Sequence, residues 1–414
     1  LYRCTSCFHA EPTCASCILE DHRTRPLHVL QKWCRETQFW TRSTLNDLGF
    51  VLNLGHGGQR CVVSTRNPRE LVVVHADGVD SLRLIRRGFW PGSWHLPRTV
   101  YTLDILDKFS ILSHQAHTNA NDFFTFLKRI TDNVNPDQVA DRYREFLTAS
   151  REYEFILTAK RSGVDPIINL PRGSLAVKCP ACPHVGINMD PKWRSRDPLF
   201  EFQDAFFYSI DGNFQQNQRE KPMDAHDFPL TKGAAYFAHE DDFTRYQQTL
   251  GPLAPDVSFY LSKSNCSRFV AIHGGKTSGT IELSCSRHMF TLGGSGVDLQ
   301  KGERYVFLNV DFAVASCLQG YRHLKRHFRC YDINCQYCRN LKSRLSKLES
   351  MIEDYPSLES LDLPPTTSGI GKLHAPGHIG ECSYKFSMHW LPGAAMTDGE
   401  SAERIWADLN GIAA

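Results

Sequence analysis

The residues able to do chemistry are of two kinds: soft donors grouped in pairs, and single carboxylates at the ends of short apolar runs. Cys4, Cys7, Cys14 and Cys17 form two Cys-x2-Cys pairs, followed by His22 and His28. Such a turn presents two thiolates side by side, which suits two corners of a tetrahedral zinc site; ordinary free cysteines are the plain alternative. Cys179, Cys182 and His184 offer half of another zinc site, and Cys285 with His288 offers the other half. There the alternative is buried thiols with a capping histidine. His374, His378 and Cys382 stand at i, i+4 and i+8, a metal-binding spacing on a helix, although Pro376 and Gly377 oppose a regular helix. Asp211, Asp332 and Glu400, with Glu403 competing for the third place, are oxygen donors of the kind that Mg2+ or Mn2+ prefers. Two such ions held about 3.5–4 Å apart support phosphodiester transfer. An aspartate at a strand end is by itself more often a turn former, so these acids matter only if the fold gathers them.

The elements that must do the gathering are legible as short patterns. Asp211 follows the aromatic and β-branched run 206–210, and Asp211-Gly212-Asn213 reads as the turn that ends it. Asp332 follows a second strand over 328–331. Glu400 opens a helix over 399–410, with Glu403 one turn on and on nearly the same face. Further strands are expected at 51–54, 71–75, 269–272, 279–283 and 305–310. Residues 121–162 look helical: Val139, Tyr143, Phe146 and Leu147 recur at helical spacing, and Asn135-Pro136-Asp137 makes a start signal. Residues 335–354 read as helical and basic, and the Pro/Ser/Thr-rich stretch 363–369 reads as a linker. Residues 1–33 have little apolar periodicity, so metal rather than a core has to hold them.

Bulk properties bound these readings. The chain has 414 residues, 41 % hydrophobic and 22 % charged, enough for two or three globular domains. Its formal net charge of +2 announces no nucleic-acid partner by itself, so any DNA contact must come from local patches. No stretch approaches a membrane span and no signal peptide is visible. The chain begins with Leu1 and reads as a fragment, its start lying upstream. Fifteen cysteines in a chain this long, many in Cys-x2-Cys pairs near histidines, favour zinc in a reducing compartment over a disulfide scaffold.

Several strings resemble, in the same order, those of the Kyakuja-Dileera-Zisupton (KDZ) transposases, a family expanded in fungal genomes. They are Asp211-Gly-Asn-Phe214, Cys285-Ser-Arg-His288, Asp298-Leu-Gln-Lys-Gly-Glu-Arg-Tyr305, Tyr331-Asp-Ile-Asn-Cys-Gln336, and Thr397-Asp-Gly-Glu400 with Glu403-Arg404-x-Trp406. Gly173-Ser-Leu-Ala-Val177 leading into Cys179-Pro-Ala-Cys182-Pro-His184, and Asn53-Leu-Gly-His-Gly-Gly58, match as well. The amino-terminal cluster resembles the cysteine-rich domain that accompanies these transposases. It is also similar to the latter part of a B-box-like cross-brace, in which Cys4, Cys7, His22 and His28 share one zinc. Cys14 and Cys17 would then serve a second zinc, with its other ligands before Leu1. The resemblance implies an α/β protein in three parts: a partial zinc module at 1–33, an amino-terminal KDZ region at 34–200, and an RNase H-like DDE core with insertions at 201–414. Such a core offers acids at the ends of its first and fourth strands and a third from a late helix. Carried over, these are Asp211, Asp332 and Glu400, with two Mg2+ or Mn2+ as catalytic cofactors and Zn2+ as a structural one. Asp298 and Asp311 also sit in matching strings and compete for the second place.

The implied partners are DNA, as transposon ends and target, and a second copy of the chain; the implied location is the nucleus. The most basic stretch carries Arg322, Lys325, Arg326, Arg329, Arg339, Lys342, Arg344 and Lys347. It flanks Asp332, where phosphate contacts would add salt-dependent affinity, unless it is simply a solvated helix face. His56-Gly57-Gly58 lacks a following Gly-Lys-Ser/Thr, so it is no nucleotide loop. A zinc hydrolase is a poor alternative because His-Glu-x-x-His is absent. An inactive, transposon-derived DNA- or chromatin-binding protein is the closer rival.

Overall fold

A computed structural model describes residues 1–8, 11–53, 69–75, 78–85, 89–94, 97–164, 168–216, 228–250, 277–300 and 306–413. The chain divides into two compact units, Leu1–Leu157 and Thr158–Ala414. The expected strand over 269–272 and the His56-Gly57-Gly58 loop lie outside the described residues.

The first unit holds two sheets. The strands β1 (Tyr2–Cys4), β2 (Leu30–Cys34) and β3 (Phe39–Ser43) form an antiparallel sheet in that order. Helix α1 (Ala15–Asp21) completes it, and among the described residues the buried core between them is Cys4, Ile18, Leu30 and Leu45, with Tyr2, Cys7, Leu19, Leu48 and Phe50 half-buried against it. So small a core leaves much of the holding to other forces. The second sheet contains β4 (Leu52–Asn53), β5 (Arg69–His75), β6 (Gly78–Ile85), β7 (Phe89–Pro91) and β8 (Thr99–Thr102), in the order β4-β6-β5-β8-β7. Helices α2 (Leu103–Ala116), α3 (Ala120–Thr131) and α4 (Tyr143–Ser162) follow. The first two are capped as their sequences suggest: Ile105 N–H donates to the Thr102 hydroxyl and Asp122 N–H to the Asn119 side chain. Phe123, Phe124 and Leu127 of α3 pack with Tyr101 and Phe146. The helical stretch expected over 121–162 is thus two helices with a break. Asn135-Pro136-Asp137 opens only a 3-10 turn, Pro136–Gln138, and the second helix starts later.

The second unit is built on one five-stranded sheet: β9 (Phe206–Asn213), β10 (Thr277–Cys285), β11 (Val297–Gln300), β12 (His327–Tyr331) and β13 (Thr366–Gly369), in the order β11-β10-β9-β12-β13. The first three pair antiparallel. β12 runs parallel to β9, and β13 parallel to β12. The remaining helices among the described residues are α5 (Glu240–Leu250), α6 (Val306–Leu318), α7 (Asn334–Tyr337), α8 (Leu341–Glu349), α9 (Glu381–Lys385) and α10 (Ser401–Ala413). Alternation along β9 sets the two faces. Phe206, Tyr208 and Ile210 join the main core with α6, whereas Phe207 packs on the other side with Phe328 and Cys330. By the same alternation Ser209 and Asp211 share the face of Phe207.

Three expectations need correction here. Of the run 305–310, expected as a strand, residues 306–310 belong to α6, which is buried on every side from Phe307 to Leu318. A short, uniformly apolar run cannot be told from a buried helix by periodicity, and here Ala313 and Ala315 extend it to helical length. Asp211-Gly212-Asn213 is not a turn, because those residues continue β9 by pairing with Glu282, Ile281 and Thr280 of β10. The stretch expected as a linker contains β13, an edge strand that begins just after Pro364-Pro365, where proline no longer costs a ladder bond.

Candidate active site and metal-binding clusters

Strand, strand and helix bring acids together in the second unit. Asp211 lies near the end of β9. Asp332 stands one step past the last registered pair of β9 with β12, Ile210 with Tyr331. Glu400 immediately precedes α10, and Glu403 sits in its first turn. Asp211, Asp332, Glu400 and Glu403 line one cavity of about 10 Å³ together with His374, Gly371 and Gly399. That space takes a single ion or water and no organic substrate.

Each carboxylate is aimed by its own hydrogen bonds. Asp211 accepts the Gly212 N–H on one oxygen and the Trp406 indole N–H on the other, both at 2.7 Å. Asp332 accepts the Ile333 N–H at 2.7 Å. Glu400 accepts the Leu373 N–H at 2.7 Å, and its second oxygen lies 2.9 Å from His374 Nδ1. Burial, then the neighbouring Asp332 charge, pushes Asp211 up to about 7. Burial likewise raises Asp332 and Glu403. At His374 burial works against the charged ring, but the Glu400 carboxylate outweighs it and the histidine is raised. The Glu403 Oε2 atom is shielded from water and has no hydrogen-bond partner. Crowded carboxylates with such an orphaned oxygen suit a hard divalent cation, and His374, Glu400 and Glu403 have donor atoms mutually within 4.8 Å.

The final helix is fastened across this face of the sheet. Ser209 donates to the Gly399 carbonyl at 3.1 Å, the Ser284 and Ser401 hydroxyls meet at 2.8 Å, and Asn213 donates to Asn410 at 2.7 Å. Gly399 adopts φ +80°, and a Cβ there would collide with the Cys330 sulfur. One at Gly371 would strike the Glu400 carboxylate. Glu282 is an acid that the sequence patterns did not single out. It is the cross-strand partner of Asp211, is buried, and is pushed up to about 7 by that burial. The period-two alternation of β10 was the signal for it.

The soft donors form separate clusters. In the first unit Cys4, Cys7, His22 and His28 have donor atoms within 4.8 Å of one another, a set that can hold one zinc. Cys7 Sγ lies 3.5 Å from His22 Nε2 and 3.3 Å from His28 Nδ1. His22 Nδ1 donates to the Ile18 carbonyl at 3.0 Å, which leaves Nε2 bare toward the thiolates. Cys14 and Cys17 are exposed and stand outside this set; Cys14, bonded to the Ser16 hydroxyl, is lowered to about 7. In the second unit Cys179, Cys182, Cys285 and His288 form another such set. Cys182 and Cys285 meet at 3.4 Å, and a hydrogen bond from Cys182 lowers Cys285 to about 5. His184, expected among these ligands, is not one of them. Its Nε2 donates to the Cys179 carbonyl at 2.9 Å, so the ring braces the turn instead.

Other expectations separate. His374 faces the carboxylates, whereas His378 Nδ1 lies 3.6 Å from Cys335 Sγ; the 3-10 turn Ala375–Gly377 breaks the helical spacing between them. Asp311 is fully buried on α6, accepting from Tyr337 at 2.7 Å and from Arg344 at 2.6 Å. Neither it nor Asp298, on β11, lines the acidic cavity. Arg344 is therefore a core ion-pair partner, and Arg329, also buried, donates to Ser368 at 2.7 Å. Arg322 pairs with Glu359, Lys325 with Glu201 at 3.0 Å, and Arg326 donates to Thr367. Arg339 and Lys342 are exposed. A groove of about 640 Å³ beside the start of α10 carries two arginines that the basic-run pattern missed, Arg287 and Arg404. No described helix is long and apolar enough to cross a membrane.

Comparison with known families gives two matches. A model described as Kyakuja-Dileera-Zisupton transposase matches residues 204–414. One described as a CxC2 like cysteine cluster associated with KDZ transposases matches residues 45–135, downstream of the six amino-terminal donors. No curated protein and no solved structure matches the chain.

Proposed function

The chain belongs to the Kyakuja-Dileera-Zisupton transposase family, and from that premise we propose that it cuts and joins DNA by the acidic-triad (DDE) chemistry of an RNase H-like core. One observation carries the reading: Asp211, Asp332 and Glu400, far apart in the chain, line a single ion-sized cavity. Their origins support it too. Among the described strands of their sheet β9 and β12 are the first and fourth in chain order, and α10 is a late helix, which matches the plan expected of such a core.

In this proposal Asp211, Asp332 and Glu400, with Glu403 as the alternative third acid, would hold two Mg2+ or Mn2+ ions, of which the closed cavity has room for one. When bound, such ions would supply activation of the attacking hydroxyl and stabilisation of the leaving oxygen. Trp406 and the Gly212 and Ile333 amides orient the two aspartates. His374 supplies positive charge beside Glu400 and Glu403. Arg287, Arg339, Lys342 and Arg404 contact phosphates, which adds sequence-independent affinity. The amino-terminal and sheet-side cysteine clusters take structural zinc, and the site of action is the nucleus, where chromosomal DNA lies.

The test is nicking of supercoiled plasmid by the purified chain in Mg2+ or Mn2+. The parent nicks, and Asp211→Ala loses roughly 10²–10³-fold, the scale of removing one element of charge stabilisation. Equal nicking by the variant would refute the assignment. DNA binding without nicking in either metal would favour the inactive, transposon-derived binding protein.

A further inference from the structure

A fourth Cys-x2-Cys pair lies beside the acidic site and is used by none of the clusters above. Cys335 sits in the short helix α7, three residues after Asp332, and Cys338 caps the end of that helix. Across from them the chain returns with His378, at the end of the 3-10 turn Ala375–Gly377, and Cys382, in the first turn of α9. Cys335 Sγ lies 3.6 Å from His378 Nδ1. Cys382 acts on the Cys335 thiol through a side-chain hydrogen bond and Cys338 through its charge, while no three of the four donor atoms lie mutually within 4.8 Å. Cys335 is buried with Ile370 and Ala375, and Cys382 and Phe386 pack on that small cluster. All four are free thiols or imidazole.

We propose that Cys335, Cys338, His378 and Cys382 form a zinc site that ties the segment after Asp332 to the segment after His374. Three thiolates and one imidazole are a donor set that zinc takes in closed structural sites and that Mg2+ does not. Cys-x2-Cys gives one pair of corners from a tight turn, and His-x3-Cys gives the other pair from the returning chain. The four donors are looser than the two tetrads whose atoms all lie within 4.8 Å, so the ion closes this site, drawing in bonds of about 2.0–2.3 Å. Binding displaces thiol protons to solvent and involves no oxidant.

The proposal is independent of the nuclease reading, because it concerns a different metal and different donors. It is tested by zinc analysis of the full chain, purified under reducing conditions with one zinc per site supplied. The Cys335→Ser/Cys382→Ser double variant should carry one zinc per chain fewer than the parent. Equal zinc content in the two proteins overturns the site. If the double variant does not fold, alkylation of the parent settles the matter by mass spectrometry. Cys382, half-exposed, should react at least tenfold faster after chelation than before. Equal reactivity with and without chelator, or a Cys335–Cys382 disulfide in place of bound zinc, overturns it.

Discussion

Asp211 illustrates how a single carboxyl can report on its site. The fold raises it from 3.8 to about 7, first by burial and then by Asp332. A carboxyl raised on folding favours the neutral form, so its ionisation weighs against the folded state as pH climbs from 3.8 to 7. Over that window the chain without divalent ions should lose on the order of 4 kcal/mol from this group. Asp211→Asn should remove the loss, so its thermal midpoint should exceed the parent's at pH 8 by much more than at pH 5. Added Mn2+ should stabilise the parent at pH 8 and leave the variant unmoved. A variant that melts with the parent at both pH values would show that the buried charge carries no such cost. The indole of Trp406 acts the other way, since its N–H donates to the ionised Asp211. Trp406→Phe should raise Asp211 further, shift the acid limb of the nicking pH profile upward and slow nicking about tenfold, the worth of one hydrogen bond to a charged group. An unmoved acid limb would mean the indole only packs.

At the scale of elements, the outcome turns on how α10 is anchored. Gly399 bends the chain into it with φ +80°, and Cys330 leaves no room for a side chain there. Gly399→Ala should therefore cost about 2 kcal/mol or more in urea unfolding, combining backbone strain with the clash. A cost within error would place the helix start elsewhere. The helix itself and strands β5, β9, β10 and β12 were legible because their apolar residues repeat with the right period. Two elements were not, for physical reasons. The stretch 306–310 has β-branched and aromatic residues at its start, and only the burial of 307–310 on all sides, a property of the folded neighbours, makes it helical. β13 is polar, short and preceded by prolines; it exists because β12 offers it an unpaired edge. The acids at 211, 332 and 400 could be picked out as element ends. For Glu282 the alternation of β10 gives only the face it occupies; which residue it meets across the ladder is set by the fold.

Charge has to be sorted at the scale of the whole molecule. A net +2 conceals cations of two kinds. Arg344 is spent inside, against fully buried Asp311, so Arg344→Met should cost about 3–5 kcal/mol of stability by stranding that carboxylate. It should not alter how DNA binding responds to salt once the protein is folded. Arg339 and Lys342 are exposed. Replacing both with alanine should leave the melting temperature near the parent's and flatten the log–log salt dependence of DNA binding by up to roughly two. An unchanged slope would take this face off the DNA path. Sequence order could not make this division, because burial is decided by residues far along the chain. The parallel pairing of β9 with β12 has a last consequence. It fixes the backbones bearing Asp211 and Asp332 about 4.8 Å apart and pins their pleats in phase. Deleting one codon inside either strand reverses the direction of every later side chain in it and turns the acid toward the α6 core. An in-frame slip of this kind would empty the acidic cavity of one carboxylate while barely changing composition and leaving nearly every matching string readable.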